Sequence, residues 1–404
     1  MTAFAVFLPA AALLAATVTG SPPASDVDAT APDATAAHAT AAHATAPYVV
    51  VLKDTTSRAP TRTLAAEAVE AGDEVGPVYE AALNGFAVRA TAARAAALAA
   101  DPRVASVEPD AEFHTTDEPL IGPQTPAPWS LDRIDQRELP LDGSYAYPGR
   151  AEGVTVYVVD TGINTAHREF GGRARAGYNA VFLGSPRDCS GHGTHVAATV
   201  GGETYGVAKG VSLVGVKVAD CRGSAPLSAI LKGVDWVVKD AAKAPTTPAV
   251  ANMSIGGSRS HALDAAVTRA VAKGITVTVA AGNDGKNACG GSPAAVPQAL
   301  TVGATDAEDR RAPFSDHGPC VDLSAPGVRI TSAWKDSATA TARASGTSMA
   351  APHVAGVAAL ILARGTARTP AQVSEELLRS AVSDRITGLP AGTPNLLLHL
   401  PTGR

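Results

Sequence analysis

Apolar positions along this chain fall into three regimes, each with its own spacing. Phe4 to Val18 is an apolar run interrupted only by small residues and Pro9, and Thr19-Gly20-Ser21-Pro22 follows it. The run is too short to cross a bilayer. It reads as the hydrophobic region of an export signal over residues 1–24, with small residues at its cleavage point. A buried N-terminal helix is the competing reading. No Lys or Arg precedes Lys53, so the basic start that usually accompanies such a signal is missing. No other uninterrupted apolar stretch is long enough to span a membrane. Residues 25–46 carry an Ala-Thr-Ala-Ala-His repeat around His38 and His43, which buries almost nothing and predicts a disordered linker, not a metal site.

The second regime, residues 47–115, alternates short strands with helices. Tyr48-Val49-Val50-Val51-Leu52 predicts a strand, Thr61 to Val69 a helix, and Val78 to Val88 two strands around Asn84-Gly85. Thr91 to Ala100 is again helical and Val104 to Glu108 is a strand, giving a β-α-β-β-α-β, ferredoxin-like order. At about seventy residues, this unit is near the lower size limit for folding alone and is expected to lean on a partner surface. A Pro- and Thr-rich stretch from Glu112 to Pro128 predicts an exposed, cleavable connection.

The third regime, residues 116–404, repeats βα units. Gly153 to Val159, Leu213 to Val218, Ala249 to Ile255 and Ile275 to Ala280 are near-continuous apolar strands, as expected when both faces are covered. Helical patterns at Leu227 to Lys243 and His261 to Lys273 separate them. The expected fold class is α/β, a doubly wound, mostly parallel sheet, with functional groups outside the C-terminal ends of its strands.

Composition and charge narrow the function. Apolar residues make up 46% of the chain, ordinary for a globular protein, and the formal charge of −5 argues against a nucleic-acid binder. Of four cysteines (Cys189, Cys221, Cys289 and Cys320), none forms a C-x-x-C pair, which removes support for a zinc or thioredoxin-like site. In an exported chain they predict two disulfides, with three pairings open; free buried thiols would be expected only in a reducing compartment.

Three short blocks carry candidate chemistry. Asp160 ends an apolar strand in Val-Val-Asp-Thr-Gly, where a buried carboxylate is costly unless paired; a turn-forming Asp is the plainer alternative. His192 stands in Ser-Gly-His-Gly-Thr-His at the start of a helix, and no H-E-x-x-H pattern makes His192 and His195 a zinc pair. Ser348 opens the apolar helix Val354 to Leu362 in Gly346-Thr347-Ser348-Met349-Ala350, where it could be only an N-cap. Together they supply an orienting acid, a base and a hydroxyl in the chain order Asp, His, Ser. Asn283, in Ala280-Ala281-Gly282-Asn283-Asp284-Gly285, can offer its amide to an oxyanion, with the backbone N–H of Ser348 as second donor. An α/β-hydrolase lipase or esterase would need a G-x-S-x-G elbow and the order Ser, Asp, His, neither of which is found.

These blocks resemble the signature blocks of the subtilisin-like serine proteases, over about Pro126 to Leu400, with most likeness to the proteinase K and aqualysin branch. Tyr48 to Phe113 resembles the inhibitor-type propeptide that precedes such enzymes. The resemblance implies an autoprocessed, secreted, monomeric endopeptidase acting on polypeptides through an acyl-enzyme. Its own propeptide serves as inhibitor and folding chaperone, with the tail at Phe113-His114-Thr115-Thr116 lying in the cleft. It also implies peptide-pairing edges at Gly223-Ser224 and Ser254-Ile255-Gly256. Ala280-Ala281-Gly282 would floor the primary pocket, whose small uncharged residues suit apolar or aromatic side chains. By the same resemblance Cys189 pairs with Cys221 and Cys289 with Cys320, and Val196 stands where the proteinase K branch has a free cysteine. Structural Ca²⁺ is implied at Asp322 with the carbonyls of Pro297 and Ala299. A second ion is implied at Asp132, Asp135, Gln136, Asp142 and Ser144, although Asp132 and Asp135 also suit a helix start. Arg385 replaces the acidic ligand of a further proteinase K site. The competing class is a catalytically inactive binding protein of the same fold, which would be expected to lack a reactive residue.

Overall fold

The computed structural model describes residues 44–53, 59–114, 126–181 and 184–400. The signal region, most of the linker with His38 and His43, and residues 115–125 of the cleavable connection lie outside the described residues.

The N-terminal unit is a four-stranded antiparallel sheet with two helices: β1 (Thr45–Leu52), α1 (Ala59–Glu70), β2 (Glu74–Tyr79), β3 (Gly85–Thr91), α2 (Ala92–Ala99) and β4 (Val104–Pro109), with strand order β2-β3-β1-β4. The β-α-β-β-α-β order is as expected, but two boundaries differ. β1 starts at Thr45, inside the expected linker, and β2 is Glu74–Tyr79, displaced from the Val78–Val88 hairpin read in the sequence. Gly76-Pro77 argues against a strand in sequence; here the Pro sits on an edge strand whose register breaks between Val75 and Val78. The period of two along β1 decides what each side chain covers. Val50 and Leu52 pack with Leu64, Phe86 and Val88 in the unit's own core, while Val49 and Val51 join Tyr79, Leu83 and Ala87 in the core of the larger domain. A sheet covered on both faces explains the unbroken Val-Val-Val-Leu run.

A short strand, β5 (Glu112–His114), follows, then α3 (Trp129–Asp135) and β6 (Thr155–Asp160). Next come β7 (Ala174–Asn179), α4 (His192–Gly201), β8 (Ser212–Lys217), β9 (Ser224–Pro226) and α5 (Leu227–Ala241). The chain continues through β10 (Ala249–Met253), α6 (His261–Ala272), β11 (Thr276–Ala280), β12 (Leu300–Thr305) and β13 (Leu323–Pro326). It ends with α7 (Thr347–Arg364), α8 (Pro370–Ser380), β14 (Val382–Ser383) and β15 (Leu396–Leu397). Nine strands form one sheet in the order β14-β15-β13-β12-β11-β10-β6-β8-β7, parallel throughout except for the β14–β15 pair. This is the expected doubly wound α/β fold. Alternation along each strand divides the core: Val156, Val158, Leu213 and Val250 face α4 and α7, whereas Tyr157, Val159, Val214 and Ala251 face α5 and α6.

β6 is flanked by β8 on one side and β10 on the other, so the winding reverses beside it. Groups at the C-terminal end of β6 therefore open onto a crevice between diverging loops, where α/β sheets bind ligands. Among the described residues α7 is the one helix long and apolar enough to cross a membrane, a length not read from the sequence. Since 89% of its apolar window is buried inside the protein, it is the domain's central core helix.

Both disulfides, Cys189–Cys221 and Cys289–Cys320, are formed with the pairing the resemblance implied. A buried bidentate ion pair anchors α3: Arg133 Nε and Nη2 donate to Asp309 Oδ1 and Oδ2 at 2.7 and 2.9 Å, and Nη1 donates to the carbonyl of Gln136 at 2.7 Å. Removing one partner leaves a charge without water or counter-ion. Arg133→Leu should therefore destabilise the protein by about 3–5 kcal/mol, measurable by chemical denaturation.

Candidate active site

Asp160 is the last residue of β6 and is fully enclosed. Its Oδ1 accepts the Thr161 backbone N–H at 2.7 Å, and the two carboxylate oxygens lie 2.8 and 2.9 Å from His192 Nδ1. His192 is the first residue of α4. The glycines around it are steric requirements. Gly191 has φ 107°, and a Cβ there would lie 2.4 Å from the Trp334 ring. A Cβ on Gly193 would lie 2.2 Å from the Gly162 carbonyl oxygen and 3.1 Å from Asp160 Oδ1. The helix start can approach the Asp-Thr-Gly turn this closely only without side chains. His195 Nε2 bonds to the Ile330 carbonyl at 3.0 Å, and burial pushes its pKa down to about 3.

Helix α7, which packs against α4, carries Ser348 as its second residue, so Ser348 is inside the helix and is not its N-cap; Gly346 occupies that place. Pro352 stands four residues on and has no N–H, so the Ser348 carbonyl lacks its ordinary helical donor. Ser254 supplies a substitute: its Oγ donates to the Ser348 carbonyl at 2.9 Å, while Ser348 Oγ donates to the Ser254 carbonyl at 3.2 Å. Ser254 Oγ is itself held by Asn252 Nδ2 at 2.9 Å, and Asn252 Oδ1 accepts from Thr278 Oγ1 at 2.9 Å. The polar chain thus runs from β11 through the end of β10 to the serine.

Asn283 follows β11. Thr347 fixes its amide, the backbone N–H and Oγ1 donating to Asn283 Oδ1 at 2.9 and 2.8 Å, which assigns the –NH₂ to the opposite side. Asp316 braces the same loop, its Oδ1 accepting from the backbone N–H of Asp284 and Lys286 at 3.0 and 2.7 Å. Gly282 (φ 117°) allows that approach, because a Cβ there would sit 2.2 Å from Asp316 Oδ2.

The expected peptide edges behave differently. β9 pairs antiparallel with β5, in the register Glu112↔Pro226, Phe113↔Ala225 and His114↔Ser224, so the end of the N-terminal unit already occupies the Gly223-Ser224 edge. Gly223 (φ 79°) makes the turn into that edge. At the other edge Ser254 and Ile255 are buried, the Ile255 side chain within the core, and Gly256 is partly exposed. Ala280 and Ala281 are buried beside Gly282.

Sequence reading missed the contacts by which the N-terminal unit is held. Asp235 of α5 accepts three of its backbone N–H groups, from Glu80, Ala81 and Ala82, at 3.1, 2.5 and 3.1 Å, and is balanced by Lys239 at 2.8 Å. Glu108 Oε1 caps α6 by accepting from Ser260 Oγ and the Ala262 N–H, both at 2.9 Å. Asp110 Oδ1 caps α5 through the Ser228 N–H at 2.6 Å. Two helix N-termini thereby receive carboxylates from another part of the chain.

Of the expected metal ligands, Asp132, Asp135, Gln136, Asp142 and Ser144 share one loop. Asp132 accepts from the N–H of Asp142 and Gly143, Asp135 from that of Ala146, and Asp142 from Ser144. Burial, and then the neighbouring Asp132 and Asp142, push the Asp135 carboxyl up to about 6. Asp322, joined to the Thr301 N–H at 2.7 Å, is pushed up to about 6 by burial. Among the described residues no group of three or more His, Cys, Asp or Glu side chains is placed to hold a metal ion. A cation at either place would therefore draw also on carbonyl, amide or hydroxyl oxygens and water.

The Subtilase family model matches residues 151–397, and the Peptidase inhibitor I9 model matches residues 28–116. The chain is 52% identical over 341 residues to an extracellular serine proteinase of Thermus sp. (strain Rt41A), covering 84% of this chain and 80% of that protein. It is 46% identical over 330 residues to alkaline serine exoprotease A of Vibrio alginolyticus, covering 81% of this chain and 60% of that one. A solved cold adapted subtilisin-like serine proteinase superposes with a TM-score of 0.65 at 49% identity, covering 68% of this chain and 99% of its own.

Gly193→Ala provides a test of the steric reading. Displacing the His192 turn by about 1 Å should lower kcat/KM by about 100-fold while the protein remains folded, as measured on a chromogenic peptide beside circular dichroism.

Proposed function

This chain belongs to the subtilase family and is a serine proteinase with an I9 propeptide; from that premise we propose that Ser348, His192, Asp160 and Asn283 carry its catalysis. The observation that supports this most directly is the enclosed Asp160 carboxylate on His192 Nδ1. That contact fixes the proton on Nδ1, leaves Nε2 as the base and stabilises the imidazolium once formed. Ser348 Oγ attacks the scissile carbonyl carbon as its proton passes to His192 Nε2. The proton then moves to the leaving amine nitrogen, the C–N bond breaks, and an acyl-Ser348 remains. Water, deprotonated by the same imidazole, releases the acid and restores the hydroxyl. The oxyanion is received by Asn283 Nδ2 and by the Ser348 N–H at the positive end of α7.

Substrate is read as an extended strand on Gly223-Ser224 and Ser254-Ile255-Gly256, with the side chain before the cut above Ala280-Ala281-Gly282. The absence of charge in those three residues supports a preference for apolar or aromatic side chains. Residues 47–115 act as inhibitor and chaperone, and residues 116–404 as the peptidase. Export is supported by two disulfides and by the extracellular naming of the Thermus relative.

Ca²⁺ suits the all-oxygen donors at Asp132, Asp135, Gln136, Asp142 and Ser144, and at Asp322 with the carbonyls of Pro297 and Ala299. The raised carboxyls of Asp135 and Asp322 support this, because a bound cation offsets the cost of burying them ionised. The ion would supply structural rigidity, with no part in bond cleavage.

Ser348→Ala should abolish turnover, leave the precursor as a single unprocessed band and remove labelling by a fluorophosphonate; self-processing at the ordinary rate would overturn the assignment. Asn283→Ala should lower kcat about 100- to 1000-fold with little change in KM. Chelation with EGTA should lower Tm, and added Ca²⁺ but not Mg²⁺ should restore it; at 100 times Kd the recovery is about 2.7 kcal/mol.

A further inference from the structure

Asp188 lies one residue before Cys189 and is 8% exposed. Its Oδ1 accepts from Thr161 Oγ1 at 2.9 Å and from the backbone N–H of Ser190 and Gly191 at 3.0 and 2.8 Å. Its Oδ2 accepts from the Thr194 N–H at 2.9 Å and from Thr194 Oγ1 at 2.6 Å. The two threonines extend the network, Thr161 Oγ1 accepting the Gly193 N–H and Thr194 Oγ1 the Asn164 N–H, each at 2.9 Å. Lys217, 1% exposed, completes it by donating to the Thr161 carbonyl at 2.6 Å.

These donors come from two segments, the turn after β6 and the first turn of α4. Asp160 immediately precedes Thr161, and His192 stands between Gly191 and Gly193. One carboxylate therefore ties the residues beside the acid to those on either side of the base. Only an ionised carboxylate accepts on both oxygens and presents no donor, and five converging donors leave no place for an N–H. Five hydrogen bonds also make the buried charge tolerable. An ordinary helix cap would need one or two of these bonds and would not reach back to Thr161.

We propose that Asp188 is a positioning residue, holding the Asp160 and His192 backbones at the separation proton transfer requires without touching substrate. This rests on the reading of Asp160, His192 and Ser348 as the reactive group. Asparagine at this position turns an N–H either onto the Thr194 donors, which loosens the first turn of α4, or onto the Gly191, Ser190 and Thr161 donors, which breaks the link between the two segments.

The test uses the full-length precursor and its matured form. Asp188→Asn is expected to lower kcat by about 10- to 100-fold with KM within about twofold, assayed well below its own Tm. Thr161→Val, which removes a single link, is expected to lower kcat by a smaller factor, and Thr161→Ser, which keeps the hydroxyl, to recover it. Asp188→Asn with wild-type kcat, whatever its Tm, would overturn the proposal, as would an equal loss in KM. Should Asp188→Asn fail to fold, the Thr161 pair decides: equal kcat for Val and Ser refutes a positioning role. Fluorophosphonate labelling of the wild type separates the two readings. A wild type left unlabelled removes the reactive-group assignment itself, whereas a labelled wild type beside an unimpaired Asp188→Asn removes only the role of Asp188.

Discussion

A charge enclosed at the end of a strand is the constraint around which this molecule is arranged. Asp160 has no water to solvate it, so the protein must supply every partner: its own turn through Thr161, the imidazole of His192, and the glycines that let those groups close in. The topology makes room for this. β6 lies where the winding of the sheet reverses, and β8 and β10 send their following loops to opposite sides of it. Their loops bring the Gly223-Ser224 segment from one side and Ser254 from the other. The central helix α7 then carries Ser348 up to the same crevice.

The serine's setting follows from a defect placed on purpose in that helix. Pro352 deletes a hydrogen bond at the first turn, and the orphaned carbonyl is repaired from the neighbouring sheet by Ser254. A helix that completed its own ladder would have no need of the sheet at this point. Here the Ser348 backbone is tied to the end of β10 through Ser254 and, through Asn252 and Thr278, to β11. The N-terminal unit supplies partners in a similar way: Glu108 and Asp110 accept N–H groups at the starts of α6 and α5.

Much of this could be read from residues alone. Apolar runs such as Val156–Val159 disclosed the parallel strands because a strand buried on both faces needs no polar alternation. The three blocks were legible because each sets a polar residue close to a glycine at the end of an apolar strand or the start of a helix, in the chain order Asp, His, Ser. β2 was misplaced because Gly76-Pro77 is poor strand sequence, tolerated only at a sheet edge. β7 went unread because Ala-Arg-Ala-Gly-Tyr-Asn has no apolar period. Asp235, Glu108 and Asp188 were invisible for a different reason. Each looks like an ordinary surface acid until tertiary folding brings donors to it, from more than 150 residues away for Asp235 and Glu108.

The pairing of β5 with β9 sets a condition on anything else that would use the same edge. While the N-terminal unit stays seated, Glu112–His114 runs antiparallel along β9, so another extended segment can pair there only after that strand has left. Cutting the chain beyond β5 would not by itself empty that edge, because the strand is held by its pairing and by the packing of its unit as well as by the covalent link. That domain shares one face of its sheet with the larger core, so leaving exposes Val49, Val51 and Leu83. Once away, a unit of about seventy residues has little core of its own and holds its fold less firmly than it does on this surface.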